Sequence, residues 1–259
     1  MSRFGIVLFF VFLFNGLQAQ EKELPAEAVM FLPAGYELLD YVQGDLNNDK
    51  RMDAILIAKK QGEDTVMDEN VKRPMILLTR QTNGKLKHTL RNDNAILCRT
   101  CGGVFGDPYE GVMIIPGGFE MLFYGGSSWR WGYTFTFNYN HAKKNWFLTT
   151  EKQVRFQAGD PETTTKETTI QSAELGEIPF VLFKSEPVYA DTRWKVKSDI
   201  TQFYDNPDLR SKPRRGYLLK GNIAVGIRHL KNFIHVSYDN GKGTITEGYL
   251  LRRDLEQLK

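Results

Sequence analysis

The sequence predicts a mainly β protein, an N-terminal antiparallel-sheet domain followed by a small β-barrel. Three observations carry this. Apolar and aromatic runs of four to eight residues recur from Tyr36 onward between clusters of Gly, Asn, Asp and Pro, which is the signature of strands separated by turns. The run Tyr133-Thr134-Phe135-Thr136-Phe137 alternates, with Tyr133, Phe135, Phe137 and Tyr139 on one face, as expected of a strand with one buried side. Helical periodicity is scarce, and only Leu24 to Leu32 suits a short helix, with Pro25 fitting a first turn and Ala26, Glu27 and Ala28 favouring helix.

Taken from the start, the chain opens with Arg3, the apolar run Phe4 to Phe14 and then Asn15-Gly16-Leu17-Gln18-Ala19. This is the layout of a secretory signal peptide, and cleavage is expected after Ala19. A signal anchor is the competing reading, but the apolar core falls short of the roughly 20 residues that span a bilayer. No cysteine stands near the cut to accept a lipid, and no later apolar run is long enough for stable membrane insertion. In a bacterial host the product is expected to be periplasmic or secreted.

Ala54 to Ile57, Met75 to Leu78 and Val112 to Ile115 read as further strands. Asn83-Gly84, Pro116-Gly117-Gly118 and Asp239-Asn240-Gly241 supply the residues that reverse a hairpin. From Gln157 to Glu177 the chain turns Thr-, Glu- and Gly-rich, and few side chains there suit a core. This stretch is expected to be a connector between domains at residues 20–180 and 181–259. A twisted edge hairpin is the alternative, since threonine also suits strands.

Composition narrows the function. With 259 residues, 41% hydrophobic and 25% charged, the chain has material for a real core. A net charge of +3, from 34 basic and 31 acidic residues, gives no electrostatic case for nucleic acid. Two cysteines exclude a disulfide framework, and four histidines leave little for a zinc site.

One loop has the spacing of a calcium site. Gly44 to Asp53 places side-chain oxygens of Asp45, Asn47, Asp49 and Asp53 at positions 1, 3, 5 and 9, with the backbone carbonyl of Arg51 near position 7. Ca²⁺ takes six to eight hard oxygens, and alternate residues of such a turn point inward. The alternative is a solvated acidic turn without metal. Lys50 stands where glycine is usual and Leu56 at position 12 has no ligand atom, which argues against an EF-hand. The segment Leu38 to Lys60 resembles the calcium loop of FG-GAP or VCBS-type repeats. That resemblance implies a propeller-blade-like sheet, Asp45, Asn47, Asp49 and Asp53 as ligands, and Ala54 to Ile57 as the following strand. No second copy of the loop is present, although a propeller needs several blades.

Cys98-Arg99-Thr100-Cys101 permits a structural disulfide, a redox pair, free thiols or half a metal site. The helix that a redox centre needs is interrupted at once by Gly102-Gly103-Val104-Phe105-Gly106-Asp107-Pro108, so a structural disulfide is expected. Trp129 and Trp131 share one strand face beside Gly125 and Gly126. They either form a stacking platform for a sugar or peptide, or fill the core. No G-x-S-x-G, H-E-x-x-H, P-loop or Rossmann fingerprint occurs. His88, His141, His229 and His235 are scattered, and a glycosidase reading requires Asp107, Glu110 and Glu120 to converge.

Short strands every eight to twelve residues from Trp194 imply a small bent barrel. Tyr204-Asp205-Asn206-Pro207-Asp208, Gly216-Tyr217-Leu218-Leu219-Lys220-Gly221-Asn222, the hairpin Phe233 to Gly243 and Gly248-Tyr249-Leu250 follow in order. In this order Lys195 to Leu255 resembles a bacterial SH3-type (SH3b) domain, with Tyr249 where that family often has Trp. The resemblance implies an SH3-like fold, an attachment module for cell-wall or envelope ligands, and Tyr249 as a ligand-facing ring. The expected function is that of an exported, non-catalytic binding or adaptor protein contacting an envelope component or another envelope protein, with Ca²⁺ in the acidic loop. The alternative is an envelope hydrolase, or a thiol-disulfide enzyme using Cys98 and Cys101.

Overall fold

Continuous apolar runs in the first third of the chain build a sheet that is buried on both faces. The computed structural model describes residues 23–65, 68, 71–185 and 192–258. The leader expected at residues 1–19 lies outside the described residues. Strands β1 (Tyr36–Gly44), β2 (Asp53–Lys60), β3 (Met75–Arg80) and β4 (Leu86–Asn92) form a four-stranded antiparallel meander. In β2 and β3 every apolar residue is buried. Ile55, Ile57, Met75 and Leu77 face one core, whereas Ala54, Leu56, Ile76 and Leu78 face another. The second face is covered by Leu24, Phe31 and Leu32, which flank the short helix α1 (Ala26–Val29) inside the expected 24–32 segment. Burial on both sides explains why β2 lacks the polar alternation of a half-exposed strand.

The first face packs on a second sheet, of order β5 (Tyr109–Ile115), β6 (Gly118–Gly126), β7 (Trp129–Asn140), β8 (Asn145–Gln157) and β9 (Lys166–Gln171). Here the alternation read in the sequence holds. Phe119, Met121, Phe123, Phe135, Phe137, Trp146 and Leu148 point inward and share a core with Ile55, Ile57 and Met75, as in a two-sheet sandwich. Phe119 and Phe137 stack with ring centroids 5.1 Å apart, and Phe180 meets both edge-on. The sheets also touch at Gly44, where a Cβ would fall 2.8 Å from Ile114 Cγ2.

The Thr-rich stretch 157–177 is the edge of this sheet and replaces the expected connector. Helix α2 (Pro161–Thr164), capped by Asp160, turns the chain, β9 pairs with β8 from Thr150↔Gln171 to Arg155↔Lys166, and helix α3 (Ser172–Leu175) follows. Exposed threonines satisfy an edge strand because one inward residue, Ile170, anchors it. The boundary expected after residue 180 also moves, since Phe180 and Phe183 belong to the sandwich core.

Beyond residue 191 the chain forms β10 (Thr192–Val196), β11 (Ile200–Gln202), β12 (Tyr217–Leu219), β13 (Ile223–His229), β14 (Phe233–Asp239), β15 (Ile245–Leu251) and β16 (Leu255–Gln257). The sheet order is β15-β14-β13-β10-β16, with β11 and β12 as a separate ribbon. Trp194, Val196, Phe203, Leu218, Ile234, Val236 and Leu250 form its core. The expected barrel does not close. Backbone pairing between the region after β11 and the edge of β15 is reduced to one bridge, Tyr204↔Tyr249, before Asn206-Pro207 turns the chain away. No helix among the described residues is long and apolar enough to cross a membrane.

Candidate functional site

The acidic loop joins β1 to β2 and is pinned from inside. Leu46 is fully buried in the sandwich core, and its carbonyl accepts the indole N–H of Trp146 at 2.7 Å. Asp53, also buried, accepts from Leu46 N and, through its other oxygen, from Arg80 N at 2.7 Å. Asp45 accepts from the backbone N–H groups of Asn47, Asp49 and Lys50. The loop bends at Asn48 (φ 61°) and Lys50 (φ 66°), so the residue standing in place of glycine adopts the left-handed conformation, at a cost of roughly 1 kcal/mol or more. Carboxylate oxygens of Asp45, Asp49 and Asp53 lie within 4.8 Å of one another. This hard-oxygen donor set fits Ca²⁺ in kind, with Asn47 beside it. Two features compete with a cation. The guanidinium of Arg51 pairs with Asp49, and the Arg51 carbonyl expected as a ligand accepts from Asp53 N at 3.1 Å. Burial raises the Asp45 carboxyl, but the backbone N–H groups outweigh it and hold the group below its usual value. Burial drives Asp53 the other way, above its usual value, against the N–H groups of Arg80 and Leu46, with Asp49 and Asp45 adding repulsion.

Cys98 and Cys101 have their sulfurs at disulfide distance, 2.13 Å. Turns follow them, with no helix to depress a thiolate pKa, and Cys98 is buried. The carboxylates of the glycosidase reading have separate surroundings. Asp107 is held by both nitrogens of Arg73, at 2.8 and 2.7 Å, Glu120 accepts from Thr136 Oγ1 at 2.8 Å, and Glu110 is exposed beside a bulge of β5. Sequence reading missed the ionic cluster behind them. Arg73, itself buried, also binds buried Glu63 at 2.6 Å and the Leu97 carbonyl at 3.2 Å, tying the first sheet to the cysteine loop.

The candidate aromatic residues separate. Trp129 is 55% exposed, whereas Trp131 packs against the sandwich core with its ring 5.3 Å from Tyr133. Tyr249 is 4% exposed and corrects the expectation of a ligand-facing ring. It lies with Ile170, Leu230, Phe233 and Leu251 in a cluster that joins β9 to the third sheet, stacked 4.6 Å from His235. Burial pushes the Tyr249 hydroxyl up to about 12 and His235 down to about 4, the latter also repelled by Arg155, Arg228 and Arg214. His229 meets Thr192 Oγ1 at 2.8 Å, while His88 and His141 are exposed.

Between the sandwich and the third sheet lies a cleft of about 500 Å³, lined by Phe135, Leu148, Ile178, Phe183 and Leu230 among others. Its charged lining includes the pair Glu151 and Arg228, with Glu177 and Lys184 beside them. Glu151 is 1% exposed, binds both terminal nitrogens of Arg228 and accepts from Gln153. Glu174 bonds Asn232 twice, at 3.0 and 2.7 Å, across the same junction. The two parts are thus fastened by paired charges as well as by apolar contact.

The β11–β12 ribbon presents a different surface. The register Ile200↔Leu219 and Gln202↔Tyr217 puts these four side chains on one face, and Ile200, Tyr217 and Leu219 are each more than half exposed. Lys197, Arg215 and Lys220 stand exposed close by in the chain, without an ion pair among the described residues. Residues 192–258 carry 13 Lys and Arg against 7 Asp and Glu, a net +6, whereas residues 1–191 carry 20 against 24, a net −4. The near-neutral total conceals this segregation. The chain matches no protein-family model, no curated protein and no solved structure.

Proposed function

We propose that the chain is an exported, non-catalytic adaptor whose C-terminal module binds an anionic component of the cell envelope. The charge segregation carries the reading: a module of net +6 attached to a body of net −4 draws a long polyanion chiefly to the module. The ribbon adds exposed Ile200, Tyr217 and Leu219 near exposed Lys197, Arg215 and Lys220, a surface that combines apolar contact with positive charge. The ordered short motifs that resemble SH3b domains favour the same role. Deleting the module is a poor test, because it would bare Ile170 and strip Glu151 of its partner. The charge-reversed variant Lys197→Glu/Arg215→Glu/Lys220→Glu leaves that junction intact. Co-sedimentation of the full chain with purified peptidoglycan sacculi is expected to retain wild type and release the variant. Equal retention of both excludes the module as the cause.

The acidic loop is assigned Ca²⁺ in this reading, favoured by the three convergent carboxylates. Saturating Ca²⁺ at the millimolar level of weak extracellular sites, roughly 10⁻³ M, is expected to raise the thermal midpoint, and Asp49→Asn to abolish the rise. No shift in wild type removes calcium from the account.

A further inference from the structure

The outer face of the five-stranded sheet carries a groove of about 470 Å³ that crosses β6 to β9. Its centre is the row Tyr124↔Gly132↔Val154↔Glu167, read across the paired strands. Gly132 forms the floor because it has no side chain. A Cβ there would meet Val154 Cγ1 at 2.9 Å and the Tyr124 ring at 4.0 Å. Tyr124 stands half-buried on one flank, packed 5.5 Å from the Phe105 ring, and offers an amphipathic face. Glu110, Lys152 and Glu167 add charge to the lining, and Thr134 and Thr169 add hydroxyls. Two residues before Gly132, on the same face of β7, Arg130 rests its guanidinium 4.0 Å over the Phe105 ring. Arg130 makes no ion pair among the described residues, and its buried Nη1 has no hydrogen-bond partner.

We infer that this groove binds a carboxylate-bearing glycan lying across the strands, with one sugar face on Tyr124 and a carboxylate at Arg130. Strands β6, β7 and β8 under the groove are paired on both sides and the open edge of β9 lies at its border, so an extended peptide finds no free backbone edge along the groove floor. What remains is a flat glycine floor, one ring, hydroxyls and carboxylates able to serve sugar hydroxyls, and a cation without an anion. A buried donor lacking a partner is costly, and an incoming acceptor removes that cost once the side chain turns toward it. The site is separate from the β11–β12 ribbon, so its fate and that of the adaptor reading are independent.

Calorimetric titration of the full chain with tetragalacturonate, its methyl ester and hexaglutamate tests the inference. The acid form is expected to bind, and Arg130→Gln is expected to weaken it about tenfold, to the level at which the methyl ester binds wild type. Gly132→Val, which fills the floor, and Tyr124→Ala, which removes the ring while sparing the strand, are each expected to abolish binding with circular dichroism unchanged. The inference is overturned if tetragalacturonate fails to bind at about 5 mM, if it binds both of those variants undiminished, or if hexaglutamate binds as well as the sugar.

Discussion

Arg73 illustrates how one side chain commits the surrounding structure. Its guanidinium answers Glu63, Asp107 and the Leu97 carbonyl together, and burial lowers its pKa less than those two carboxylates raise it. Arg73→Ala leaves Glu63 buried without its cation, with only the Lys60 N–H still bonded to it, and denaturant unfolding is expected to show a loss of about 3–5 kcal/mol. A loss below about 1 kcal/mol would mean that water takes over the site. His235 sets a pH dependence. Its folded pKa of about 4 lies below the ordinary 6.5 because the ring is buried against Tyr249 and faces Arg155, Arg228 and Arg214. Between those values the unfolded chain binds the extra proton, so the stability present above pH 6.5 falls as pH drops toward 4, by up to about 3 kcal/mol. His235→Phe is expected to flatten that slope in a pH series of unfolding curves. An unchanged slope would assign it to other groups.

Among elements, the β1–β2 loop was the most legible in sequence because its information is local. The spacing of Asp45, Asn47, Asp49 and Asp53 needs only nine consecutive residues, and the strand after it was read correctly. Its anchoring was not legible, since Trp146 lies 100 residues away. Leu46→Ala is expected to cost about 2–5 kcal/mol, and the variant should lose any calcium response before it loses the fold. Retention of full calcium affinity in that variant would show that the loop needs no pin. The threonine-rich stretch failed as a connector because threonine suits both a linker and an edge strand, and Ile170 alone decided between them. Tyr249 failed as a ligand residue for a related reason. Alternation assigns faces to a strand but cannot say that β9 covers one of them.

At the scale of the whole molecule, the mainly β class and the hairpin turns were legible, whereas the junction was not, because Glu151 and Arg228 stand 77 residues apart. Arg228→Ala leaves Glu151 unpaired at the junction, and unfolding followed by fluorescence is expected to lose about 3–5 kcal/mol and to separate into two transitions. One undisturbed transition would show that the apolar cluster around Ile170 suffices. The segregation of charge between body and module concerns function, and ionic strength addresses it most directly. Binding of the full chain to peptidoglycan sacculi, measured between about 0.05 and 0.3 M salt, is expected to weaken at least tenfold for wild type and to change little for Lys197→Glu/Arg215→Glu/Lys220→Glu. Tight binding that is indifferent to salt, or identical in the two proteins, would contradict an electrostatic adaptor.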